Sequence, residues 1–142
     1  MYDCSVQTLD EVFASKTPSS LCWKINFSSQ SVGYVSVQDA GIGPPTFAKT
    51  IDGGKTFTEM PLPPLGGDAS VGFSTDGIAF ITDKVGWVSP EDPTMPTYMT
   101  KDGGNTWTVD AALKSPINRF RFVDKNTAYA IGGSVWKLDI AF

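Results

Sequence analysis

Thr50-Ile51-Asp52-Gly53-Gly54-Lys55-Thr56-Phe57 recurs fifty residues later as Thr100-Lys101-Asp102-Gly103-Gly104-Asn105-Thr106-Trp107. A repeat at this spacing is the signature of a fold built by stacking like units. Upstream of each octet stands a second shared block. Phe27 is followed by Gly33-Tyr34, Phe80 by Gly86-Trp87, and Phe122, where no octet follows, by Ala128-Tyr129. The third unit continues through Ser134-Val135-Trp136-Lys137-Leu138-Asp139 and reaches Phe142 where the Gly-Gly turn is expected.

The octet has the chemistry of a hairpin turn. An Asp carboxylate accepts hydrogen bonds from turn N–H groups, the glycines permit positive φ, and the closing aromatic ring packs beneath. Around it, apolar and β-branched residues alternate over four to seven positions between Gly, Pro, Asp and Ser, the pattern of short antiparallel strands. The expected strands are 21–27, 32–37, 46–50 and 56–60 in the first unit. In the second they are 77–81, 85–89, 97–100 and 106–110, and in the third 117–123, 127–131 and 135–138.

Units of four strands and about 40–50 residues have the size of a β-propeller blade. The expected fold is all-β, one domain of about three blades at 21–61, 77–110 and 117–142. Residues 2–8 read as an extra N-terminal strand completing a blade, the alternative being an N-terminal helix across Thr8 to Ala14.

The pattern Thr-x-Asp-Gly-Gly-x-Thr-aromatic resembles the Asp-box, or BNR repeat, of sialidases, sortilin-type receptors and the photosystem II stability and assembly factor family. The last is the nearest in feel, because its blades resemble the run Asn126-Thr127-Ala128-Tyr129-Ala130-Ile131-Gly132 followed by a third strand and a box. The resemblance covers residues from about 21 onward and implies a propeller. It also implies that the box, Thr50, Asp52, Gly54, Thr56 and Phe57 with Thr100, Asp102, Gly104, Thr106 and Trp107, is a folding device away from the ligand-binding face.

Composition removes several functions. Eleven Lys and Arg against fifteen Asp and Glu leave a net charge of -4, the wrong sign for gathering nucleic-acid phosphates. There is no His, so Ser-His-Asp and Cys-His nucleophiles and His-containing zinc sites are excluded. Cys4 and Cys22 are too few for a zinc cage, and their pairing with each other is left open. No apolar run approaches the roughly 20 residues of a membrane span, and the first residues lack signal-peptide character. The expectation is a soluble chain with no cofactor, no metal, no nucleic acid and no membrane partner.

Propellers close with typically 4 to 8 blades, so three blades leave two apolar faces bare, and such patches mark interfaces. A homodimer giving a six-bladed ring is the expected closure. In it, residues near 2–8 of one chain would supply the missing fourth strand of its partner's third blade. A fragment lacking its other blades is the alternative.

Long connections at 38–45, 61–76, 90–96 and 113–116 share one rim, and long loops on a rigid scaffold carry binding groups. Candidate ligand contacts there are Asp39, Asp68, Glu91 and Asp92, with Tyr98 as a stacking ring. Arg119 and Arg121 alternate with Phe120 and Phe122 on an inner strand and so point the same way, matching Lys24 and Asn26 of the first unit. They are the sharpest candidates for anion binding. The function expected is a non-catalytic binding or scaffold module with a protein or carbohydrate ligand. The alternative is a sialidase-like glycoside hydrolase using two carboxylates such as Glu91 with Asp92 or Asp68, although two Arg on one strand do not make a sialidase's Arg cluster.

Overall fold

A computed structural model of the chain describes residues 10–14, 20–39, 46–62, 75–114 and 116–142. Eleven strands fill it: β1 (Ser20–Phe27), β2 (Gly33–Asp39), β3 (Thr46–Thr50), β4 (Thr58–Pro61), β5 (Thr75–Phe80), β6 (Gly86–Pro90), β7 (Pro96–Thr100), β8 (Thr108–Lys114), β9 (Ile117–Phe122), β10 (Thr127–Gly132) and β11 (Val135–Asp139). They form three antiparallel meanders in sequence order, β1-β2-β3-β4, β5-β6-β7-β8 and β9-β10-β11.

The registers are equivalent. Phe27 faces Gly33, Phe80 faces Gly86 and Phe122 faces Ala128, so Tyr34, Trp87 and Tyr129 occupy one structural position in three sheets. A small residue is needed opposite each Phe because the ring lies over it. A Cβ on Gly33 would come within 2.7 Å of the Phe27 ring.

Side chains alternate across each sheet, and consecutive sheets clasp through the inward set. Between the first and second sheets Val32, Tyr34, Phe47 and Leu62 pack against Ile78, Phe80, Val88 and Tyr98. Between the second and third, Ala79, Trp87 and Leu113 meet Ile117, Phe120 and Ala130. Full burial of Phe47 or Phe80 contributes about 1.5–3 kcal/mol each. The sheets approach most closely at their first strands, where a Cβ on Gly77 would collide with the Ile117 carbonyl.

Strand boundaries depart from the sequence reading by a residue or two at most strands, and the shifts at β4, β8 and β5 have local reasons. Strands β4 and β8 begin at Thr58 and Thr108, not at Thr56 and Thr106, because the octet's second threonine is held in the turn by the aspartate. Strand β8 runs on to Lys114 instead of stopping at 110, since Leu113 is buried beside Trp87 and Ile117. Strand β5 starts at Thr75, inside the expected 61–76 loop, where its carbonyl accepts from Gln38 Nε2 at 3.0 Å.

Residues 10–14 are not helical. They lie on the outer face of the first sheet, where Phe13 meets Phe57 with 5.3 Å between ring centroids and joins Val35, Val37 and Ala48. The proposed strand 2–8 and Asp68 lie outside the described residues, as does Cys4, so its pairing with exposed Cys22 lies there too. Among the described residues no helix is long and apolar enough to cross a membrane.

Candidate functional site

The two octets build the same knot of hydrogen bonds. Thr50 Oγ1 donates to Asp52 Oδ1 at 2.8 Å and accepts from Gly54 N at 2.9 Å. Asp52 in turn accepts from Thr56 N at 2.9 Å and from Thr56 Oγ1 at 2.6 Å. Thr100, Asp102, Gly104 and Thr106 repeat these contacts within 0.1 Å. The Thr56 and Thr106 hydroxyls, followed by their backbone N–H groups, hold both carboxyls down at about 2, as expected where hydrogen bonds favour the anion. Both oxygens of each carboxylate are engaged within the turn.

The second hairpin also contacts the first sheet. Lys49 Nζ donates to Gly103 O at 3.0 Å, and Trp107 sets its edge against Phe47 and Phe80 at 6.0 and 6.1 Å. Glycine is required at Gly104, whose φ is +90° and whose added Cβ would stand 2.5 Å from Phe47 Cζ.

Arg119 and Arg121 are exposed on β9. Their register partners are Ile131 and Tyr129, so the guanidinium groups share the uncovered face of the third sheet with those two side chains. Lys24 holds the register position equivalent to Arg119, opposite Ser36, but reaches elsewhere. Its Nζ donates to Asn118 Oδ1 at 3.3 Å, while Asn118 Nδ2 donates to Asp76 Oδ1 at 2.8 Å. One polar chain thus links the first strands of all three sheets and leaves out both arginines. Sequence reasoning missed Asp76 and Asn118, the former placed in a loop and the latter passed over beside the arginines. Their position on successive first strands is the signal that finds them.

On the loop rim, Glu91 and Asp92 are exposed. Asp92 Oδ1 accepts from Thr94 N and Oγ1 at 2.8 and 2.7 Å, with the hydroxyl chiefly holding its carboxyl below the usual range. Asp39 ends β2. Tyr98 is not an open stacking ring. It is 8% exposed within the core between the first two sheets, and burial pushes its phenol up.

A groove of about 540 Å³ runs between β7–β8 and β11, lined by Trp87, Met99, Leu113, Trp136, Leu138 and Phe142 among others. Asp110 at its wall accepts from Trp87 Nε1 at 2.9 Å. Sister strands β3 and β7 are flanked by β4 and β8, whereas the outer edge of β11 has no strand beside it among the described residues.

No protein-family model and no curated protein matches the chain. Solved structures do. The chain is similar to YCF48 bound to D1 peptide, at 20% identity and a TM-score of 0.59 over 84% of this chain and 37% of that one. It is similar also to YCF48 from Cyanidioschyzon merolae, at 16% identity and 0.59 over 88% and 39%. The chain therefore spans under two-fifths of the length of either. The three sheets are blades of a propeller-like, all-β fold.

Proposed function

We propose that the chain is a non-catalytic binding module of three Asp-box propeller blades, forming one domain, that takes a peptide segment of a partner protein. The fold carries this reading, because a structural neighbour is a complex with a D1 peptide. The surroundings agree. Both octet aspartates are consumed in their turns, Asp92 is engaged by Thr94, and neither Glu91 nor Asp92 is drawn from the surface into a cleft. In a ring of two such chains, Arg119 and Arg121 on the first strand of the third sheet border the central channel and are the groups best suited to a peptide carboxylate.

In the same reading two chains close a ring as a homodimer, through the outer faces of the first blade, which carries Phe13 over Val35, Val37 and Ala48, and of the third, and by strand exchange of residues 2–8 onto β11. Trp23, Ile25 and Phe27 on the first sheet are 49%, 65% and 43% exposed, and Val135 on the third is 69% exposed, the apolar surface that association covers.

Two measurements test this. Light scattering across a dilution series is expected to give twice the chain mass of 15.2 kDa, and a monomer at every concentration would defeat the ring. Fluorescence anisotropy against an array of labelled peptides is expected to find a binder weakened by alanine at Arg119 and Arg121. Binding left unchanged by both substitutions removes that site. Turnover of a chromogenic glycoside, abolished by Glu91→Gln, would replace the binding module with a hydrolase.

A further inference from the structure

Each contact between consecutive blades has the same aromatic centre. Tyr34 of the first lies on Phe80 of the second, 3.4 Å between centroids and 3° from parallel. Trp87 of the second meets Phe122 of the third at 6.3 Å, tilted by 36°, and stacks on Phe120 at the same distance. Advancing the series by one blade in either direction leaves two unmatched halves. Tyr129 holds the position of Tyr34 and Trp87 but is 42% exposed, and Phe27 holds the position of Phe80 and Phe122 but is 43% exposed.

The match extends to the polar groups. In the contact between the first two blades, Tyr34 Oη donates to Asp83 O at 2.9 Å and Lys49 Nζ donates to Gly103 O at 3.0 Å. Lys49 stands opposite Tyr34 across β2–β3, with its ammonium 5.4 Å from the ring centre. On the third blade Lys137 stands opposite Tyr129 across β10–β11 in the same register, its ammonium held meanwhile by Asp139 Oδ1 at 2.8 Å, an exposed pair that docking would exchange for the carbonyl.

The receiving side is duplicated as well. Gly103 N donates to Lys84 O at 2.9 Å, and Gly53 N donates to Ser31 O at 2.9 Å. A Cβ on Gly103 would meet Lys49 Nζ at 2.8 Å, Asp83 O at 3.0 Å and Tyr34 Oη at 3.6 Å. One on Gly53 would meet Gln30 O at 3.2 Å, the counterpart of Asp83 O, with no ammonium or phenol beside it. The first blade thus carries a prepared seat for a cross-strand Tyr-Lys pair, and the third blade displays such a pair.

We infer that Tyr129 and Lys137 of one copy dock on Phe27, Gln30 and Gly53 of a second copy, stacking the phenol on Phe27 and donating to the Gln30 and Gly53 carbonyls. The inference rests on the dimeric ring proposed above and supplies its contact residues. A head-to-tail contact of this kind occurs twice in a two-fold pair and closes it. Charge agrees, since the Tyr129 face carries Arg119, Arg121 and Lys137 against Asp139, while Glu59 lies opposite Ala48 on the receiving sheet.

The test uses the full chain and its solution mass, with circular dichroism confirming the fold of each variant. Tyr129→Asp and Phe27→Asp are each expected to give monomers, and Tyr129→Phe to weaken the dimer about thirtyfold by losing one hydrogen bond in each of the two contacts. Mixing the two Asp variants leaves one intact contact out of two, and the mixture is expected to form a hybrid dimer that neither variant forms alone. Dimers persisting in both Asp variants, or a mixture that stays monomeric, overturn the docking residues. A wild-type chain that is monomeric throughout overturns the ring itself, so the two failures are distinguished.

Discussion

The hydroxyl of Tyr34 donates to the carbonyl of Asp83 across the first blade boundary at 2.9 Å, while its ring lies flat on Phe80. One side chain thus supplies apolar area and a polar clasp to the same contact. Tyr34→Phe is expected to cost about 1 kcal/mol, the net value of a hydrogen bond, and Tyr34→Ala about 3–5 kcal/mol by opening a cavity. Urea unfolding midpoints with unchanged slope check both values.

The same phenol makes stability sensitive to alkali. Burial, then the negative charge of Asp83, pushes it up from 10.0 to about 12. Above pH 10 the unfolded chain releases this proton while the folded chain keeps it, so the contribution is whole below pH 10 and lost as pH rises toward 12. Thermal melts between these values are expected to fall more steeply for wild type than for Tyr34→Phe.

Acid acts on the hairpins with the opposite sign. Asp52 and Asp102 are held down from 3.8 to about 2, first by the Thr56 and Thr106 hydroxyls. Their contribution is present above pH 4 and is lost as pH falls through about 2, when the native carboxylates must take up protons. A double Asp→Asn variant is expected to lose stability at neutral pH and to show a flatter acid limb in the same melts.

Gly54 and Gly104 separate turn strain from packing between blades. Both have φ near +90°, yet a Cβ on Gly54 would meet only ordinary contacts at 3.8 Å, whereas one on Gly104 strikes Phe47 Cζ at 2.5 Å. Gly54→Ala is expected to cost about 1–2 kcal/mol from the backbone alone. Gly104→Ala adds about 1–3 kcal/mol of overpacking. Chemical denaturation of the pair reads the difference.

Ser89 joins the second and third blades through a buried bond, in which Ile117 N donates to its Oγ at 2.8 Å. Ser89→Ala strands that N–H and is expected to cost about 1–3 kcal/mol. Faster hydrogen exchange at the Ile117 amide, with exchange in β1–β3 unchanged, identifies the loss as local.

Eleven strands and their grouping were legible because alternation and turn chemistry are local properties, set by residues within a few positions of one another. The octet even specifies its hydrogen bonds, since Thr, Asp and Thr close on themselves in both copies. The functional surface was less legible. Arg119 and Lys24 match in register but not in surroundings, for Lys24 meets Asn118 across the blades and Arg119 faces outward. Tyr98, read in strand 97–100 beside the 90–96 loop, looked like an open stacking ring, yet its side chain is buried with Phe80 between the first two sheets.

By itself the sequence determined that the chain repeats a four-stranded, hairpin-closed unit, because the repeat and its turns are written in contiguous residues. Only the tertiary structure decided which face of each sheet is covered. It matched Tyr34 with Phe80 and Trp87 with Phe122, and left Tyr129 and Phe27 exposed at opposite ends. That assignment depends on how neighbouring sheets stack, a relation between residues 46 and 35 positions apart in the two pairs that no local pattern encodes.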